Sequence, residues 1–191
     1  METIIIFASG NGTNAQAIVE YTRSNPGACY RVAGIVCDNP RAGVIARAAA
    51  LEIPVQVVRR ADLASPQFIQ SLRSVGASCL VLAGFLGLIP AGLVQAFPGR
   101  ILNLHPALLP KYGGKGMYGD NVHRAVLAAA EPFSGITVHV IDERYDCGTN
   151  LCQVSCPVYP SDTPHTLAER IHRLEHRYYP VVIDDFVSRP R

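Results

Sequence analysis

No long hydrophobic run, no cluster of like charges and no paired cysteine motif marks this 191-residue chain, and each absence removes a class of protein. The apolar stretch Thr3 to Ala8 is far short of the roughly 20 residues that span a bilayer. It also lacks the basic start and cleavage region of a secretory signal, so it reads as a first strand. Only 17% of residues are charged, and 17 basic against 15 acidic residues leave a formal charge of +2 with no basic run. That balance gives no reason to expect nucleic acid or a membrane as partner. The six cysteines, at 29, 37, 79, 147, 152 and 156, show no C-x-x-C spacing. Reduced thiols in a cytoplasmic protein are therefore expected. Cys152 and Cys156 share one strand face, but without histidine at ligand spacing no metal is expected there. Repeats, linkers and low-complexity segments are also missing, so one domain over residues 1–191 is expected.

What is present is apolar residue in short blocks, 49% of the chain in all. Thr3 to Ala8 precedes a turn and a helical pattern from Ala15 to about Thr22. Arg31 to Cys37 reads as a strand, Ala42 to Leu51 as a helix, Val55 to Val58 as a strand, Ala61 to Val75 as a helix and Cys79 to Ala83 as a strand. A short helix near Pro90 to Phe97 leads to a strand at Ile101 to Leu104 and a glycine- and proline-rich loop from Pro106 to Asp120. A helix at Asn121 to Ala130, strands at Ile136 to Ile141 and Leu151 to Tyr159, and a long helix from Thr163 to about Val187 complete the order. Pro180 is expected to start a new turn or to kink that helix. Wholly apolar strands alternating with helices point to a mainly parallel sheet covered on both faces.

Two segments carry chemistry. Gly10-Asn11-Gly12-Thr13-Asn14 joins the first strand to the first helix, where glycines allow close backbone approach and a helix start offers free N–H groups to an anion. It is neither the dinucleotide G-x-G-x-x-G nor a P-loop, since no third glycine and no lysine follow. A phosphate loop and a plain turn with Thr13 or Asn14 as N-cap both fit this segment. Asn103-Leu104-His105 then puts an amide and an imidazole on one side at the carboxyl end of a strand, where open α/β sheets build sites. An imidazole that moves protons is usually oriented by a carboxylate. Asp146, in the polar loop Asp142 to Gly148, is the candidate; a solvated turn aspartate and a core histidine are the plainer readings. His139, on a strand, reads as a core histidine.

Together these blocks resemble the phosphoribosylglycinamide formyltransferase family. The resemblance rests on Ser9 to Asn14, Leu82-Ala83-Gly84-Phe85, Asn103 to Tyr112, Thr137-Val138-His139, Asp146-Cys147-Gly148, and Leu174-Glu175-His176 with Tyr179-Pro180. It implies an α/β, Rossmann-like fold with a mainly parallel twisted sheet, helices on both faces and a long C-terminal helix. Its implied activity is transfer of a formyl group from 10-formyltetrahydrofolate to the amine of 5'-phosphoribosylglycinamide. Asn103, His105 and Asp146 match the catalytic trio, with Asp146 expected to raise the histidine pKa. Gly10, Asn11, Gly12, Thr13 and Asn14 match the substrate phosphate loop, and Glu175 the acid on the ribose. Leu86, Gly87, Leu88 and Ile89 match the folate-lining backbone, and the loop Ile141 to Asp146, with Asp142 in it, the pterin wall, with Asn103 and Asp146 shared. On this view residues 1–100 hold phosphate and 101–191 hold folate and the catalytic groups, in a monomer or homodimer acting on small molecules without metal.

The chain departs from the pattern at Cys147, at Gly87 where a basic residue is common, and in the long glycine-rich loop Gly113 to Asp120, which fits a lid or a plain connection equally. His123 matches a histidine found in many relatives and is at most a supporting group. The relatives that formylate initiator tRNA or hydrolyse the same folate are the alternatives. Each carries an added domain, whereas this chain starts at the first strand and ends with the closing helix.

Overall fold

The computed structural model describes residues 1–142 and 146–189. Its centre is a seven-stranded sheet in the order β3-β2-β1-β4-β5-β6-β7, built from β1 (Glu2–Ala8), β2 (Tyr30–Cys37), β3 (Val55–Val57), β4 (Cys79–Leu82), β5 (Ile101–His105), β6 (Phe133–Val140) and β7 (Asn150–Pro157). The first five strands run parallel, and β6 and β7 close one edge antiparallel. Residue alternation on β1 divides the interior. Ile4, Ile6 and Ala8 enter one core and Ile5 and Phe7 the other, as the period-2 geometry of a strand requires. The helices α1 (Thr13–Ser24), α2 (Val44–Ala50), α5 (Asp120–Ala128) and α6 (Pro164–Ser188) cover the first face. The second is covered by α3 (Pro66–Ser74) and α4 (Ala91–Ala96). The expected α/β, Rossmann-like fold is what is observed.

Three local expectations change. The helix expected over Ala61 to Val75 is split into a 3₁₀ turn at Arg60–Asp62 and α3. Ser65 N-caps α3 by accepting from the Phe68 N–H, and Pro66 sits at the helix start, where its missing N–H costs nothing. α1 begins at Thr13 rather than Ala15, which brings the glycine loop directly onto a helix terminus. α6 runs through Pro180 instead of restarting there. Immediately before its interior proline, the fully buried Tyr179 donates to the Leu82 and Leu102 carbonyls at 3.0 and 3.3 Å. That anchor fixes α6 across β4 and β5. The strand order reverses direction between β1 and β4, so a crevice opens at their carboxyl ends.

Candidate active site

The crevice begins with the glycine loop. Gly12 is the N-cap of α1 at φ 81°, and a methyl on it would meet Val44 Cγ2 at 2.5 Å. Conformation and neighbour both demand glycine. No side chain caps α1, so its first N–H groups and positive dipole end face the crevice, the arrangement that receives an anion. The loop is held on both sides. Leu86 N–H donates to Ser9 Oγ at 3.0 Å, and Arg47 Nε on α2 donates to the Asn11 carbonyl at 2.8 Å.

Beside that helix start lies Glu175 of α6, 5% exposed. Its carboxylate accepts from Asn14 Nδ2 at 2.8 Å. Burial pushes its pKa up, against the Asn14 hydrogen bond and the nearby His172 ring. Asn14 Oδ1 is buried without a partner. A buried acid with one neutral partner and an orphaned amide oxygen beside it together leave hydrogen-bonding capacity that a polyhydroxylated ligand can satisfy.

The second cluster grows from β5. Its antiparallel pairing with β6 sets Asn103 directly opposite His139 and His105 opposite Thr137. Asn103 Nδ2 lies 3.1 Å from His139 Nε2 and 3.5 Å from Asp146 Oδ1. The same His139 Nε2 lies 3.6 Å from Asp146 Oδ1, so this ring nitrogen sits between the amide and the carboxylate. Asp146 Oδ2 is 3.6 Å from His105 Nδ1 and accepts from Gly114 N–H at 2.8 Å. His105 Nε2 donates to the Tyr112 carbonyl at 2.8 Å. Burial opposes charge on Asp146, but His139, the Gly114 N–H and His105 outweigh it and hold the carboxyl below its ordinary range. The expected rise of the His105 pKa is not found. Burial pushes it down, and the opposing pulls of Asp146 and the Tyr112 carbonyl do not make up the difference.

Both clusters open into one cleft of about 790 Å³, the size of a small-molecule site. Gly10, Asn11, Gly12, Thr13, Asn14 and Glu175 line one part of it, and Asn103, His105 and Asp146 another. Leu86, Gly87, Leu88 and Ile89 form a wall, faced by Ile141 and Asp142. Residues 143–145 of that expected wall lie outside the described residues. Leu86 and Leu88 are 46% and 48% exposed, an apolar surface suited to a flat ring system. A side chain at Gly87 would meet Phe85 Cε1 at 3.0 Å and Arg60, whose Nε lies 3.2 Å from a Cβ built there and is paired with Asp38. The loop Gly114 to Gly119 also lines the cleft.

Sequence reasoning missed His139 and His172 as lining residues. His139 is fully buried, as expected of a core histidine, but it touches both Asn103 and Asp146. The signal that finds it is the antiparallel register, which its strand pattern alone does not show. Among the described residues, no group of three or more His, Cys, Asp or Glu could hold a metal ion. No described helix is long and apolar enough to cross a membrane.

A glycine-started helix at the sheet's switch point, and an Asn-His-Asp cluster across the same cleft, define an α/β group-transfer fold. A family model described as formyl transferase matches residues 2–183, and the chain belongs to that family. Within it, the chain is 41% identical to the chloroplastic phosphoribosylglycinamide formyltransferase of Arabidopsis thaliana, over 94% of this chain and 63% of that one. It is 37% identical to the phosphoribosylglycinamide formyltransferase of Bacillus subtilis, over 98% and 96% of the two chains. The chain thus spans less than two thirds of the plant relative and nearly all of the bacterial one. The crystal structure of glycinamide ribonucleotide transformylase 1 from Symbiobacterium toebii superposes with a TM-score of 0.89 at 32% identity, covering 98% of this chain and 88% of that one.

Proposed function

We propose that the chain transfers the formyl group of 10-formyltetrahydrofolate to the amine of 5'-phosphoribosylglycinamide, a step of purine synthesis, in the cytosol. One observation carries this reading: an anion-receiving helix start with a buried acid beside it, and an Asn-His-Asp cluster, open into a single cleft. The α1 terminus, with Gly10 to Asn14, would hold the phosphate and Glu175 the ribose hydroxyls, while the wall Leu86 to Ile89 with Ile141 and Asp142 would take the folate rings. Arg60 packs against Gly87 with its Nε paired to the buried Asp38, and the exposed remainder of its guanidinium would meet the donor's carboxylate tail. Residues 1–100 and 101–191 then act as the phosphate-binding and the folate-and-catalytic halves of one domain. The division is not strict, since the wall lies in the first and Glu175 in the second.

Formyl transfer makes three demands: a proton must leave the attacking amine, an oxyanion must be held, and a proton must reach the departing nitrogen. The Asn103 amide can donate to the oxyanion, a contact worth about 2.7–4 kcal/mol in comparable sites. His105, neutral at rest, can take the proton that the attacking amine sheds, donate as imidazolium to the same oxygen and pass that proton to the leaving nitrogen. Asp146 stabilises that imidazolium, offsetting the burial that disfavours it. The deciding experiment is the transferase assay itself with purified chain and both substrates. Appearance of formylglycinamide ribonucleotide and tetrahydrofolate supports the reading. Absence of both, with the folded protein binding neither substrate, rejects it.

A further inference from the structure

The glycine-rich loop after β5 is tied down at a point outside the cleft. Glu131, between α5 and β6, does not line the cavity. Its Oε1 accepts from Lys111 Nζ and from the Tyr112 hydroxyl, each at 2.8 Å. Tyr112 holds φ 58°, a left-handed conformation that costs an L-residue free energy and persists only where its surroundings impose it. In that conformation the Tyr112 carbonyl receives His105 Nε2 at 2.8 Å, and two residues on, Gly114 N–H donates to Asp146 Oδ2 at 2.8 Å. Gly113 fills the gap so closely that a methyl on it would lie 3.2 Å from Asp146 Cβ. Three consecutive residues therefore connect one remote carboxylate to the histidine and the aspartate at once.

We propose that Glu131 is a positioning residue for the proton chemistry of the cleft, acting through the backbone of Tyr112 and Gly114 on His105 and Asp146. The proposal rests on the reading of those two side chains as the catalytic pair. With the anchor removed, Tyr112 relaxes toward right-handed φ and its carbonyl leaves His105. Four groups surround that ring: Asp146 from the loop after β6, His139 from β6 itself, the Tyr112 carbonyl, and His123 from α5. Asp146 and the Tyr112 carbonyl favour the charged form, while burial and His139 oppose it. Losing the Tyr112 carbonyl therefore moves the His105 titration further down. Each pKa unit of that movement removes about tenfold of the protonated form at neutral pH.

The test compares wild type, Glu131→Ala and Tyr112→Phe, with His105→Ala as control. The readouts are kcat and KM for both substrates across pH and NMR titration of the His105 imidazole. Expected for Glu131→Ala are a fall in kcat of about tenfold, KM values within about twofold of wild type, and a downward His105 titration. Tyr112→Phe, which removes a single outward hydrogen bond and retains the ring, follows in the same direction. An active wild type silenced by His105→Ala but untouched in kcat, pH profile and titration by both anchor variants overturns the proposal and leaves the function standing. Wild-type activity that survives His105→Ala fails the catalytic reading instead. Should Glu131→Ala not fold, Tyr112→Phe decides alone: an unmoved or upward titration overturns the proposal.

Discussion

Acidification exposes one buried group through a measurable stability change. His123 on α5 is 2% exposed, with Nδ1 buried and unpartnered. Burial, helped by the nearby His172 and His105 rings and opposed by Asp120, lowers its pKa from 6.5 to about 4. The folded-state value lies below the unfolded one, so as pH falls through 6.5 the unfolded chain takes up a proton that the folded chain refuses. Stability contributed by the neutral ring is complete above that pH and is lost progressively down to about 4. About 2.5 pKa units at roughly 1.36 kcal/mol each amount to about 3 kcal/mol. Urea denaturation of wild type and His123→Leu, at neutral pH and near pH 4, isolates this contribution. His176 is also lowered and adds the same slope to both proteins, while His105, which faces His123, is followed by its own NMR titration in each. The variant should lose about 3 kcal/mol less than wild type over the interval. Parallel pH dependences would show that the ring is charged or solvated in the folded protein and refute the reasoning.

Four further outcomes are expected. Gly12→Ala forces φ 81° on an L-residue against Val44, costing roughly 1–2 kcal/mol in denaturation and raising KM for the phosphorylated substrate while leaving folate-analogue binding in calorimetry unchanged. Asn103→Ala should lower kcat by about 10²–10³ with the cleft still able to bind both substrates, the signature of a lost oxyanion donor; an equal rise in KM would assign it to binding instead. Asp146→Asn removes the charge that opposes burial at His105, so the His105 titration should move further down in NMR and kcat should fall with it; an upward movement would contradict the geometry. Arg60→Ala should raise KM for the donor bearing its glutamate tail and leave a donor lacking that tail unaffected, which steady-state assays with the two donors resolve.

The sheet was legible because its signals are local. Ile4, Ile5 and Ile6 are apolar on consecutive positions because β1 is buried on both faces, and a strand so placed leaves no doubt about its type. Boundaries were less legible where a side chain rather than a pattern decides them. Ser65 and Pro66 start α3 in the middle of what reads as one helix, and the uncapped Gly12 starts α1 early. Pro180 does not end α6, which runs on past it beside Tyr179, itself anchored onto two strand carbonyls.

The site divides in the same way. Gly12, Asn103 and His105 sit on short stretches whose geometry follows from strand and turn rules, so their placement could be foreseen. His139 could not, because its contact with Asn103 is a register fact: the two are paired across antiparallel strands 36 residues apart. Nor could the direction of the His105 pKa, for a different reason. A motif reports which carboxylate faces an imidazole, whereas the balance depends on how much water the surrounding fold has removed, and here burial outweighs Asp146. Under the proposed mechanism, a histidine lowered by its own pocket must be returned toward the charged form at the moment of transfer. The groups fit to do so are the ones already touching it, the Asp146 carboxylate and the Tyr112 carbonyl, together with the oxyanion that forms on the substrate. On this argument the ring gains its charge as the transition state develops, and the loop that carries Tyr112 and Gly114 belongs to the chemistry as much as the trio does.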